Sequence, residues 1–274
     1  MRELDKGFTD NSEGKVCESL LFVPRLVDKH PFPIVVNTMI LKLSTLFKDG
    51  SSLVRNTIIN VIGSAEVSPH LGMVSNVTEC QNQILAVHQA NDPSTRALAV
   101  LLMGKMAPIL HARTEIQHAL FKSLQSHHPN ERNAALHAIQ PFASLSALFC
   151  EALIEVIDGM LLDLRANFTE KRAKIRFILL FMNMNHNLEM ASKTMQILKK
   201  LLVIYPNEEY RVVILKTLTF LIGNTRLGLK DYIGLLLELF EGDPRMNVKI
   251  SVLKNIAYLS KTCGMEMDWN DESS

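Results

Sequence analysis

Apolar residues recur along this chain at alternating steps of three and four positions, and this spacing places them on one face of an α-helix. The clearest stripe consists of Leu188, Ala191, Met195, Leu198 and Leu202. The lysines of the same segment fall elsewhere on the helical wheel, as expected for a helix with one buried face. No segment shows sustained apolar–polar alternation between hairpin turns. The pattern therefore predicts an all-α protein without a β-sheet.

A short phrase precedes several of the helical runs. Its clearest copies are Asn91-Asp92-Pro93 and Gly242-Asp243-Pro244, and weaker copies lie at prolines 129 and 206 and at Asn167. An aspartate can accept a hydrogen bond from a free N–H of the first helical turn, and proline at the first helical position sacrifices no intrahelical bond. The phrase therefore indicates helix starts that recur at a fixed period, which is the signature of stacked helical pairs.

The period also identifies the class of repeat. Pairs are predicted to begin near residues 13, 52, 93, 130, 169, 207 and 244. Steps of this size with Asp-Pro openings fit an α-solenoid of HEAT/armadillo-like antiparallel helix pairs. Tetratricopeptide landmarks are missing, since the single tryptophan is Trp269, and the ankyrin Thr-Pro-Leu-His motif is absent. We expect one solenoid domain over residues 1–263 and a disordered acidic tail over residues 264–274.

The last predicted helix, over 244–262, is still apolar, although solenoids normally end in a polar capping helix. Either a partner covers this end, or the chain is a fragment of a longer array. A true short form of the protein is the third interpretation.

Composition narrows the function classes. The chain is 47% apolar and its formal net charge is +1. Because the net charge is close to zero, it does not favour binding to nucleic acid or to an acidic membrane. Four scattered cysteines, at 17, 80, 150 and 263, favour a reducing compartment over a disulfide framework. The first residues are too polar for a signal peptide, and the most apolar stretch, 97–110, contains Lys105 and Pro108. We expect a soluble intracellular protein without a membrane partner.

Catalytic motifs are not found. The nine histidines include no His-x-x-x-His or His-Glu-x-x-His pattern, and no glycine-rich phosphate loop or Gly-x-Ser-x-Gly turn occurs. Structural or surface histidines are favoured over a metal site. We therefore expect no enzyme, no catalytic residue, no metal and no cofactor.

One charged cluster is a candidate partner-binding surface. Its members, which we call the basic cluster, are Lys171, Arg172, Lys174, Arg176, Lys193, Lys199 and Lys200. A solvated helix surface is the common arrangement for such charges. The more specific hypothesis is that the basic cluster binds an acidic protein segment or an RNA backbone. The RNA version is weakened because no aromatic residues are interleaved for base stacking.

Several segments together resemble a known family. They are Glu3–Gly7, Phe22–Leu26, Pro31–Ile34, Leu41–Leu43, Asn91–Ala97, Gly104, Tyr205-Pro206 and Asp243–Arg245, with the match ending near Cys263. The chain resembles the amino-terminal region of the Integrator complex subunit 7 family. Members of that family continue far beyond the point where this chain stops.

The resemblance implies a function that the spacing did not show. Integrator is a nuclear assembly that associates with RNA polymerase II, processes the 3′ ends of small nuclear RNA precursors and attenuates transcription of other genes. Its endonuclease and phosphatase reside in other subunits, so the resemblance implies a non-enzymatic scaffold in contact with other Integrator subunits and the RNA polymerase II machinery. It also implies a link to the DNA-damage response and a nuclear location, with the cytoplasm as the alternative. The competing hypothesis is a HEAT-like adaptor in transport or trafficking.

Overall fold

A computed structural model describes residues 2–162 and 171–264. Within these ranges all regular structure is helical and no β-strand occurs, which confirms the predicted all-α class. The chain forms two compact units, Met1–Phe149 and Cys150–Ser274. The single domain over residues 1–263 stays a prediction.

The first unit contains ten complete helices. Their bounds are α1 Arg2–Phe8, α2 Glu13–Leu21, α3 Val23–Lys29, α4 Pro33–Asp49, α5 Ser52–Ile62, α6 Val77–His88, α7 Pro93–Lys105, α8 Ala107–Leu110, α9 Thr114–Leu124 and α10 Pro129–Leu145. Helices α2, α5, α7 and α10 contact one another in succession, and α4, α6 and α9 form a second row. Contacts between α4 and α5, α6 and α7, and α9 and α10 join the rows. The unit is thus a two-layer stack of helical pairs.

The second unit repeats this plan. Its helices are α11 Ala147–Leu162, which begins just before the unit boundary, α12 Lys171–Leu180, α13 Leu188–Ile204, α14 Glu208–Thr225, α15 Leu229–Gly242 and α16 Met246–Cys263. Helices α12, α14 and α16 pack in succession, while α13 packs against α14 and α15 against α16. The Asn167 copy of the phrase, the predicted start near 169 and the tail beyond Gly264 lie outside the described residues.

Local sequence explains many helix boundaries. The Asp92 carboxylate accepts hydrogen bonds from the backbone N–H groups of Ser94 and Thr95, and Pro93 opens α7. The side chain of Asn187 caps α13 in the same way, by accepting from the Met190 N–H at 2.7 Å. Helix α2 ends at Leu21 and α3 begins at Val23. The helix is therefore interrupted just before Pro24, as expected because proline disrupts the interior of a helix.

The second copy of the phrase does not directly precede its helix, although the Asp243 carboxylate accepts a hydrogen bond from the Arg245 backbone N–H at 3.0 Å. Helix α16 begins at Met246 and its N-cap is Arg245, which lies two residues after Asp243. The Asp243 carboxylate is buried and accepts hydrogen bonds from Arg211 Nη1 at 2.7 Å and Arg245 Nη2 at 2.6 Å. Two guanidinium groups therefore hold the carboxylate that the sequence assigned to the helix terminus.

Three further details of the helices are visible only in the structure. Leu188, the first residue of the predicted stripe, is 62% exposed, whereas the other four members are buried. Between α5 and α6 the chain forms a 3₁₀-helix, Ser68–Met73, whose Leu71 is fully buried. The polar start of the chain forms α1, which packs against α2 and buries Phe8.

Candidate partner-binding surfaces

The basic cluster occupies two helices, with four members on α12 and three on α13. Lys171 Nζ lies 2.5 Å from Glu209 Oε2 on α14, and Lys193 Nζ lies 3.5 Å from Glu189 Oε1 one turn earlier on α13. Both pairs are exposed, and exposed ion pairs contribute about 0–1 kcal/mol. These two lysines therefore already have partners, but weak ones that a ligand could replace.

Lys174 is held differently. Its Nζ lies 5.3 Å from the centre of the Tyr205 ring, which suits a cation–π interaction. The Tyr205 hydroxyl donates a hydrogen bond to the Leu161 carbonyl at 2.8 Å, which fixes the ring at the end of α13. Lys174 is therefore half-buried and contributes to packing within the unit.

The remaining members of the cluster are exposed. Within residues 2–162 and 171–264, none of them forms an ion pair with an acidic side chain. They are Arg172, Arg176, Lys199 and Lys200. These four are the groups that are free to meet a partner. The role of the cluster as a dock stays a prediction.

A second surface was not singled out from the sequence. It is a cleft between helices α14 and α16, which we call the α14/α16 groove. The cleft has a volume of about 470 Å³. Its lining residues are Met182, Val212, Lys216, Thr219, Phe220, Asn247, Ile250, Ser251, Lys254, Asn255 and Tyr258. The volume lies within the ~300–1,000 Å³ of pockets that bind small ligands. One signal could have found it, since Asn247, Ser251 and Asn255 form a polar stripe at steps of four along α16.

Charge and hydrogen bonding distinguish this groove. Two exposed lysines, Lys216 and Lys254, line it, and no aspartate or glutamate does. Asn255 is 7% exposed, and its Nδ2 is buried without a hydrogen-bond partner. Buried polar groups in folded proteins are almost always paired with protein or ordered water, so this amide is available to hydrogen-bond with whatever occupies the cleft.

The most enzyme-like cluster in the described part of the chain is structural. His88 Nε2 lies 2.8 Å from Ser123 Oγ, which in turn donates to Glu131 Oε1 at 3.0 Å. A nucleophilic serine needs the histidine between itself and the acid, but here the serine lies in the middle. Ser123 is also fully buried, and burial lowers the pKa of His88, which favours the neutral imidazole. This network joins α6, α9 and α10 and offers no site to a substrate.

Metal and thiol chemistry receive no support from the described residues. Within them, no group of three or more His, Cys, Asp and Glu side chains could hold a metal ion. Burial raises the pKa of the Cys80 thiol and raises that of Cys150 to about 12, so neither forms a thiolate readily. Among the helices of residues 2–162 and 171–264, none combines the length and apolar character of a membrane span.

Solved structures with this fold are solenoids. Yeast importin-β matches 96% of the chain and 35% of its own length with a TM-score of 0.68 at 13% identity. A designed armadillo repeat protein in complex with the peptide (KR)4 matches 80% of the chain and 98% of its own length with a TM-score of 0.56 at 14% identity. These similarities concern the fold alone, and they confirm the predicted HEAT/armadillo-like α-solenoid.

Sequence comparison is more specific. The family model described as Integrator complex subunit 7, N-terminal, matches residues 1–273. Integrator complex subunit 7 of Homo sapiens is 32% identical over 264 residues, which is 95% of this chain and 26% of the relative. The Dictyostelium discoideum homolog is 30% identical over 262 residues, or 96% of this chain and 25% of the relative. The chain spans about a quarter of the length of these curated relatives. It belongs to the Integrator complex subunit 7 family and corresponds to the N-terminal region of that family.

Proposed function

We propose that this chain is a non-enzymatic scaffold subunit of the nuclear Integrator complex. In this role it supports small nuclear RNA 3′-end processing and the attenuation of RNA polymerase II transcription. The observation that carries the proposal is the family match over residues 1–273, together with 30–32% identity to members from animals and an amoeba. A part in the DNA-damage response belongs to the same proposal.

The architecture suits a scaffold. Each unit stacks helical pairs, and stacked pairs display extended surfaces along which several proteins can bind. Helix α16 also presents large apolar side chains to solvent, since Met246 is 68% exposed and Leu253 is 53% exposed. Exposed apolar groups on one helix face are typical of surfaces that another protein covers.

The partners are other Integrator subunits and the RNA polymerase II machinery, and the location is the nucleus. Within this assembly, the exposed members of the basic cluster contact an acidic protein segment. A direct RNA contact is the weaker alternative, because the two helices bring no exposed aromatic side chains between the charges.

The proposal is tested by depleting the protein from cells of its own organism and sequencing small nuclear RNA transcripts. Transcripts that extend past the normal 3′ end should accumulate, and re-expression of the protein should remove them. Depletion of the Integrator endonuclease subunit is the positive control. Unchanged transcript ends after complete depletion, with a clear response in the control, would overturn the proposed role.

A further inference from the structure

We propose that the α14/α16 groove binds an acidic peptide segment of a partner protein. A large apolar side chain of the peptide enters the groove, and flanking carboxylates pair with Lys216 and Lys254. The inference rests on the geometry of this groove and not on membership of Integrator. It can therefore fail while the proposed function stands.

The walls of the groove set the shape of the occupant. Val212, Lys216, Thr219 and Phe220 lie at helical spacing on α14 and face Ile250 and Lys254 on α16, among others. Ile250 is 41% exposed, and Tyr258 at one end of the groove is 37% exposed. Covering apolar side chains that are left half in water favours binding in proportion to the apolar area that the ligand covers. An apolar side chain is therefore the natural filling for the middle of the groove.

Asn255 supplies a directional contact. Its Nδ2 is a buried donor without an acceptor, and such a donor destabilises the fold while it stays unpaired. A peptide carbonyl oxygen at the floor of the groove would accept from it. A side-chain amide carries both a donor and an acceptor, so it matches a peptide bond well. This feature favours a polypeptide over a purely apolar ligand.

The charge pattern selects acidic peptides. Lys216 and Lys254 lie on the two opposite walls, no acidic residue lines the groove, and no ion pair of either lysine occurs among the described residues. Carboxylates on both sides of the apolar anchor would meet one lysine each. A basic peptide would meet two like charges without compensation.

Single-stranded RNA is the competing ligand class, because lysines also bind phosphate. Tight binding of a nucleic acid backbone draws on several phosphate contacts, and this groove offers two cations. Its walls are mostly apolar, which a phosphate backbone cannot exploit. The observations therefore favour a peptide.

The test measures fluorescence anisotropy with the 274-residue protein and a short fluorescein-labelled peptide. The peptide has Asp and Glu on both sides of a central Phe-Leu pair. Two matched peptides carry Lys in place of every acid, or Ser in place of Phe-Leu. We expect saturable binding of the first peptide and at least about tenfold weaker binding of the other two, since each lacks one of the required contacts. Equal binding of all three peptides, or no binding of the first, overturns the proposal.

Variants locate the site. Lys216→Glu/Lys254→Glu should weaken binding about tenfold or more, and Asn255→Leu should weaken it several-fold by removing the donor. The matched control is Lys48→Glu/Lys230→Glu, which makes the same change of charge at exposed positions outside the groove. Circular dichroism verifies that each variant is folded. The same loss in the control variant overturns the proposal, as does displacement of the peptide by oligouridylate at lower concentration than by unlabelled peptide.

Discussion

The Arg96 guanidinium lies 2.8 Å from the Glu131 carboxylate, and this ion pair connects residues 35 positions apart. Arg96 sits in the first turn of α7 and Glu131 in the first turn of α10, the next helix of the same layer. Ser123 and Ser126 also donate to the carboxylate, and Arg96 donates to the Ala90 and Asn91 carbonyls. One buried charge thus holds the starts of two successive helical pairs in register.

Removing one partner of this pair should destabilise the first unit strongly. Arg96→Ala leaves the Glu131 carboxylate, 3% exposed, without its counter-charge, and we expect a loss of about 3 kcal/mol in the free energy of unfolding. Urea unfolding followed by circular dichroism measures the change. Lys193→Ala is the control, because it removes an exposed pair and should cost less than about 0.5 kcal/mol. Equal effects of the two substitutions would contradict this account of the buried pair.

The Asp243 carboxylate should make stability depend on acid pH. Hydrogen bonds from the Arg245 side chain, above all, hold the pKa of this carboxyl well below its usual range, with help from Arg211. The unfolded chain binds a proton near pH 4 while the folded chain does not, so stability falls as the pH drops below about 4. Asp243→Asn should be less stable than the parent protein at neutral pH, and the difference should shrink towards pH 3.

Urea midpoints at several pH values test this dependence. Glu189→Gln, which alters a carboxylate with an exposed side chain, is the matched control and should shift the midpoints much less. A stability difference for Asp243→Asn that is constant from neutral to acid pH would show that the carboxylate is not held by the two arginines.

Gly104 lies where α7 packs tightly against α10. A Cβ at this position would lie 2.7 Å from the Ala138 Cα and 2.9 Å from its Cβ, both in the packed interface. Alanine gains about 1 kcal/mol over glycine from helix propensity, but such overpacking costs about 1–3 kcal/mol or more. Gly104→Ala should therefore lower the melting temperature.

The second unit offers a matched control for that substitution. Gly234 lies inside α15, and a Cβ there would meet no atom within 4 Å. Gly234→Ala should stabilise by about 0.5–1 kcal/mol, because only the helix propensity changes. Stabilisation by Gly104→Ala would mean that the two helices are further apart than described.

The exposed part of the basic cluster should affect binding and leave stability unchanged. Arg172→Glu/Arg176→Glu changes two exposed side chains on α12. We expect weaker recovery of Integrator subunits in affinity purification and an unchanged urea midpoint. Lys48→Glu/Lys230→Glu again controls for the change of net charge. If RNA affinity and its salt dependence fall together while protein partners are retained, the RNA alternative replaces the protein dock.

The sequence predicted the fold more completely than it predicted the side-chain contacts between helices. Helical periodicity and Asp-Pro spacing sufficed for the all-α solenoid, because amphipathic stripes and helix starts are local properties. The same local reasoning did not reveal that Arg211, 32 positions earlier, also holds the Asp243 carboxylate. It also missed the His88–Ser123–Glu131 network, whose members come from different helices. Contacts between repeats depend on packing, which one stripe does not reveal.

Of the two candidate surfaces, one could be found from the sequence and the other only from the structure. The basic cluster could be found because its charges are close in sequence, but the sequence did not reveal that Lys174 contacts the Tyr205 ring. The α14/α16 groove combines residues from Met182 to Tyr258 and becomes visible only when α14 and α16 lie side by side.

Affinity purification of the tagged protein from nuclear extract of its own organism, with mass spectrometry of the bound proteins, tests the central claim most directly. The account predicts that Integrator subunits and RNA polymerase II are enriched over an untagged control. Recovery of import receptors, coat proteins or membrane components without any Integrator subunit would contradict it and would favour the transport adaptor.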